Sequence, residues 1–146
     1  MMKQNVDVRV TTQVFQDNGD ERYDIQAPGT VTSRGMSLYL TYTESLPDQP
    51  DTKVLVKFKE NQVTITRKSA IKTHLVFRIG LVDNQPYQTA AGMMILATNT
   101  SQLNMQVVGN KAEGQIQMAY SLSANGSVIG QYLVSLQFGP KSSILS

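Results

Sequence analysis

Two charged residues close rows that are otherwise apolar. In the stretch 35–44, Leu38, Leu40, Tyr42 and Glu44 fall on one side of an extended strand, and Ser37, Tyr39, Thr41 and Thr43 on the other. The split follows because successive side chains of a strand point to opposite faces. In 62–68, Val63, Ile65 and Arg67 share a face against Gln62, Thr64, Thr66 and Lys68. A carboxylate on a core-facing row needs a partner or an unusual pKa, and Arg67 is the best partner that the chain offers Glu44. Two chemistries are open to the pair. Glu44 and Arg67 can bind each other, helped by a tyrosine hydroxyl, and so fix strand register at one end of the fold. Alternatively, Arg67 can bind the carboxylate or phosphate head of a ligand, since its planar fork of donors matches such anions.

The other inward positions decide what such a ligand would meet. Tyr42, Tyr87, Thr89 and Tyr120 offer polar contacts beside Glu44 and Arg67, and Phe77, Met94 and Met118 offer apolar ones. Methionine adapts to irregular shapes, and a barrel-facing tyrosine is a core residue with a satisfied hydroxyl as readily as a platform for a ligand. His74 is the single histidine and there is no cysteine, so no zinc site, metal or cofactor is expected. Phosphate loops, zinc-protease helices and nucleophile elbows are missing from the sequence. A non-catalytic role is therefore expected.

These residues need a scaffold of strands. Apolar and polar residues alternate at period two between turn signals along the whole chain. Val6, Val8, Val10 and Val14 line one face of the first strand, and Asp17-Asn18-Gly19-Asp20 reads as a hairpin. Tyr23, Ile25 and Ala27 form the next inward row, with Pro28-Gly29 read as an interruption. Val54, Val56 and Phe58 follow a polar loop, and Ile71, Thr73, Leu75, Phe77 and Ile79 make a later row. Asp83-Asn84-Gln85-Pro86 reads as a turn, Gly92 as a bulge or corner, and Gly109-Asn110-Lys111 as another turn. Leu103, Met105 and Val107 precede that last turn, and Ile116, Met118, Tyr120 and Leu122 follow it. Asn125-Gly126 is the strongest hairpin signal, before a last row of Val128, Tyr132, Val134, Leu136 and Phe138. About ten antiparallel strands result. They close best as an all-β, up-and-down barrel, with a two-sheet sandwich as the alternative. A barrel of this size is filled by side chains or holds one small ligand.

At 146 residues the chain is expected to be one domain, 1–146, with 1–4 and 140–146 as frayed ends. The start of the chain lacks an apolar leader, no apolar run approaches membrane length, and cysteine is absent. A cytoplasmic protein without a membrane association is expected. The net charge of +2 argues against a strong polyanion binder, yet the charge is uneven. Between 53 and 78, Lys53, Lys57, Lys59, Arg67, Lys68, Lys72 and Arg78 face Glu60 alone. An outer wall of Lys57, Lys59, Lys68, Lys72 and Arg78 could hold nucleic acid. A solvated wall on a filled barrel that serves a protein partner or a homodimer is the other reading.

The ordered set Tyr42-x-Glu44, Val63-Thr-Ile-Thr-Arg67, Leu75-x-Phe77, Tyr87-x-Thr89-x-x-Gly92, Thr98 and Tyr120-x-Leu122 resembles the YwiB-like family of small bacterial proteins. The resemblance runs over about 5–138. It implies a lipocalin-like, calycin-type barrel and a cytoplasmic protein of the Firmicute kind, and it implies no activity. Ser69 stands where the family often has glycine two residues after the arginine, and the chain has no tryptophan. Lipophile transport is therefore not carried over from secreted lipocalins, since a fold does not fix a function.

Overall fold

The computed structural model describes residues 2–108 and 111–140. Among them are ten strands: β1 (Met2–Gln16), β2 (Gly19–Arg34), β3 (Ser37–Glu44), β4 (Thr52–Lys59), β5 (Gln62–Lys68), β6 (Lys72–Phe77), β7 (Val82–Thr89), β8 (Gly92–Val108), β9 (Glu113–Ala124) and β10 (Ser127–Gly139). They form one antiparallel sheet in the order β6-β5-β4-β3-β2-β1-β10-β9-β8-β7. The meander is broken only where first and last strands meet, β1 against β10, from Asp7↔Gly139 to Phe15↔Gln131. The sheet curls into a nearly closed barrel, not a sandwich. Its seam lies between β6 and β7, and the amide of Gly80 donates across it to the Thr100 carbonyl at 3.1 Å. Among the described residues no helix is long and apolar enough to cross a membrane, which says nothing of strands.

The turns follow the chemistry of their residues. Asn61 and Asn125 adopt φ of 58° and 52°, a region that asparagine tolerates better than most residues. Inside, Val8, Val31, Leu40, Val54, Val56, Val63, Ile116, Leu136 and Phe138 form a continuous core. Phe58 and Phe138 pack at 5.4 Å between ring centroids and fill the end remote from Glu44. Thr98 and Thr100 on β8 also face inward, and their buried hydroxyls have no hydrogen-bond partner among the described residues.

Several expected boundaries move. Met2, Lys3 and Gln4 pair with Ser33, Thr32 and Val31, so the chain is ordered earlier than the expected frayed start. Pro28-Gly29 does not interrupt β2, because at Pro28 the strand has β1 alone as a neighbour and the missing donor is tolerated there. Asp83-Asn84-Gln85-Pro86 is not a turn but part of β7. That strand is an edge, where proline costs no ladder bond, and the turn falls at 78–81 instead. β6 is consequently short, and Ile71 and Ile79 lie exposed beyond its ends rather than in its inward row. Tyr23 and Val128 are likewise exposed, since each lies near a hairpin tip that overshoots the barrel. Gly92 sits at the β7–β8 turn with φ 122°, and the irregularity of β8 comes later, between Thr100 and Gln102. Gly109 and Asn110, in the expected third turn, and 141–146, in the expected frayed end, lie outside the described residues.

Candidate functional site

Register puts the polar interior at one mouth of the barrel. Tyr42 stands opposite Val54, Val54 opposite Arg67, and Arg67 opposite Thr73, so one rung crosses β3 to β6. Glu44 follows Tyr42 by two residues on the same face of β3. Arg67 donates from Nη1 to Oε2 of Glu44 at 2.7 Å, and the Tyr42 hydroxyl donates to Oε1 at 3.4 Å. The carboxylate thus has a donor on each oxygen, as a nearly buried charge requires.

The geometry of Arg67 leaves capacity over. Its side chain is 40% accessible against 8% for Glu44, yet burial is the largest influence on its pKa and acts to lower it. Both hold for a residue that lines an open mouth: protein surrounds the group while water still reaches it. The Glu44 carboxylate more than offsets burial, so the Arg67 pKa is raised and the guanidinium keeps its charge. Its other donors have no hydrogen-bond partner among the described side chains.

A ring stack borders the arginine. Phe77 meets Tyr120 at 4.6 Å with planes tilted by 59°, and Tyr120 stacks on Tyr132 at 5.0 Å and 9°. Because Phe77 belongs to β6 and Tyr120 to β9, this contact spans the curled sheet. Burial raises the pKa of Tyr120, the Tyr132 hydroxyl adds to that, and the charge of Arg67 works the other way. Burial also raises the pKa of Tyr132 and, against the pull of Arg67, that of Tyr42. All three phenols therefore keep their protons, and Tyr42 donates its own to Glu44. The hydroxyls of Tyr120 and Tyr132 have no hydrogen-bond partner among the described residues. Tyr132 sits in the expected inward row, but nothing in its spacing marked it as a site residue. The pairing Tyr132↔Tyr120 brings it beside Tyr120.

The expected site residues do not all converge. Tyr42, Glu44, Arg67 and Tyr120 come together. Phe77 and Met118 are packed in the core at 1% and 3% exposure and present almost no surface to a ligand. Tyr87 pairs with Met94 six residues along β8 from Thr100, the partner of Tyr120. At roughly 3.4 Å per residue that is ~20 Å away along the strand. Thr89 is occupied in the β7–β8 turn: its hydroxyl donates to the Gly92 carbonyl at 2.7 Å and accepts from the Ala91 amide at 3.2 Å.

The basic outer wall is also redistributed. Arg78 forks onto Asp83, with Nη2 at 2.5 Å from Oδ1 and Nε at 3.2 Å from Oδ2. Those hydrogen bonds raise its pKa, and the pair clamps the turn beside the seam. Lys57 places its ammonium 5.6 Å from the Tyr39 ring centroid. Lys59 lies at the opposite end of β4 from Lys53, on the Glu60 side. Lys68 and Lys72 remain side by side, joined by Lys53, in the register Lys53↔Lys68↔Lys72.

Comparison with known proteins agrees with this architecture. Residues 8–136 match the family described as a domain of unknown function, DUF1934. The chain is 25% identical over 123 residues to the uncharacterized β-barrel protein YwiB of Bacillus subtilis (strain 168), covering 83% of this chain and 84% of that protein. It is also similar to the crystal structure of the ywiB protein from Bacillus subtilis. The TM-score is 0.80 at 21% identity, over 94% of this chain and 92% of that one, a likeness of fold. With the match spanning nearly the whole barrel, the chain belongs to the DUF1934 family, the YwiB-like proteins that its ordered motifs resemble.

Proposed function

We propose that this chain is a non-catalytic β-barrel binding protein that holds the anionic head of a small, partly apolar molecule at the barrel mouth. One observation carries the reading: Arg67 uses one donor on Glu44 and keeps the rest on the side of the barrel where its charge also acts on the unpartnered hydroxyl of Tyr120. A charged fork near a protonated phenol suits a carboxylate or phosphate, and charge-assisted hydrogen bonds are the strong ones. Binding is favoured over catalysis because both Glu44 oxygens are engaged and the buried phenols hold their protons. The close packing of Phe77 and Met118 sets the head at the mouth and the apolar part against its rim, rather than deep in the core.

The test is native mass spectrometry of the protein purified from its own host, followed by denaturation to release whatever is bound. A stoichiometric small acid lost in Arg67→Met and kept in Arg67→Lys supports the reading. A bare mass, together with failure of straight-chain carboxylates to bind the purified protein in calorimetry, sinks it.

A further inference from the structure

A second feature lies on the outside of the same sheet. A groove of 1010 Å³ crosses β1 to β6, lined among others by Asp7, Pro28, Thr41, Leu55, Lys53, Lys68 and Lys72. Its lysines are not scattered. Register places Lys53 directly opposite Lys68, and Lys68 directly opposite Lys72, on three successive strands. Neighbouring strands lie ~4.8 Å apart, so the three Cα atoms span roughly 10 Å. None of the three ammonium groups forms an ion pair among the described residues. Like charges placed opposite one another across strands destabilise a sheet. The fold gains nothing from this row, and a multiply charged anion would relieve it.

We propose that the groove is a second binding site, for a small molecule that carries a di- or triphosphate group. The row of three ammonium groups takes the phosphates, since lysine binds them as a point charge on a flexible stem. The rest of the groove is neutral in its middle, with Leu55 and Pro28 beside threonines. The Thr66 hydroxyl is hydrogen-bonded to His74 Nδ1 at 2.9 Å on this outer face. At the far end stands Asp7 on β1, five strand spacings from Lys72, or roughly 24 Å. That carboxylate repels a polyanion laid along the groove, and the one aromatic residue among its lining, Tyr42, has its hydroxyl engaged with Glu44 inside the barrel. The charge pattern selects a ligand charged at one end with a neutral body, and disfavours a nucleic-acid strand. A volume of 1010 Å³ is ample for such a molecule.

Calorimetry of the whole protein with sodium tripolyphosphate, pyrophosphate and inorganic phosphate tests this. Tripolyphosphate binds at least about tenfold more tightly than phosphate, and Lys68→Gln loses about tenfold, as for one charge-assisted contact. Lys59→Gln, outside the groove, leaves the affinity unchanged. Equal affinity for the three anions overturns the proposal. So does an equal loss in Lys59→Gln, which would mean diffuse attraction, or a loss confined to Arg67→Met, which would place the anion at the barrel mouth. A polyglutamate peptide that competes as well as tripolyphosphate also overturns it.

Discussion

Glu44 Oε2 lies 2.7 Å from Arg67 Nη1, and the two residues come from strands separated by β4. Their bond therefore ties β3 to β5 over an intervening strand, through the interior. Removing one member leaves the other charge uncompensated, and the loss is greater for the more buried partner. Arg67→Met, which strands Glu44, costs about 3 kcal/mol, less than a fully buried pair because Arg67 is partly solvated. Glu44→Gln costs less, since the remaining arginine reaches water. The double substitution recovers part of the loss. Urea unfolding of the four proteins reads the cycle, and simple additivity would show that the pair is not coupled.

Two phenols set the behaviour in alkali. The pKa values of Tyr42 and Tyr120 are raised chiefly by burial, so the folded state holds protons that the unfolded state releases near the usual tyrosine value of about 10. Their contribution is complete below that pH and is lost as pH rises towards the folded values. Stability falls above about pH 10, with a slope approaching 1.4 kcal/mol per pH unit for each such tyrosine. Tyr120→Phe flattens that slope. Urea midpoints from pH 8 to 11.5, followed with tyrosinate absorbance, check it.

Replacing the middle lysine of the outer row tests the repulsion directly. Lys68→Thr places a β-branched neutral residue between Lys53 and Lys72. Stability rises by roughly 0.3–1 kcal/mol, the scale of a cross-strand pair. The gain shrinks at high salt, where exposed charges are screened. A thermal melt at two ionic strengths measures both, and a drop in the melting temperature would contradict the argument.

Gly29 is fixed by space rather than by φ. A Cβ there would lie 2.7 Å from the Thr41 carbonyl oxygen and 2.8 Å from Val8 Cγ2. The first contact is backbone and cannot swing away. Gly29→Ala costs about 1–3 kcal/mol as an overpacked site, measured by chemical denaturation.

Much of this arrangement was legible because period-two alternation is local. The Glu44–Arg67 pair followed from parity alone, since each residue ends an apolar row. The hairpin at Asn125-Gly126 followed from residue type. What failed depended on neighbours. The segment Asp83-Asn84-Gln85-Pro86 has the composition of a turn, and only an edge position lets it run as a strand. That error hid the Arg78–Asp83 clamp and left Arg78 in the basic wall. Tyr87, Met94 and Thr89 share the inward parity of Tyr120, but parity says nothing of height along the barrel. The row of three lysines needs register, which two turns and their exact lengths decide.

The junction of β1 with β10 also has a kinetic meaning. Every other ladder joins consecutive strands and closes over a short turn, whereas Asp7 waits for Gly139 at the other end of the chain. The entropy of closing so long a loop falls on this one contact. Folding should stall with β1 and β9 as open edges until β10 arrives, and long-range pairing of this kind is slow and exposed to aggregation. The last strand of this barrel is the one that seals the centre of the sheet, so truncations that spare every other ladder would still leave the barrel unzipped.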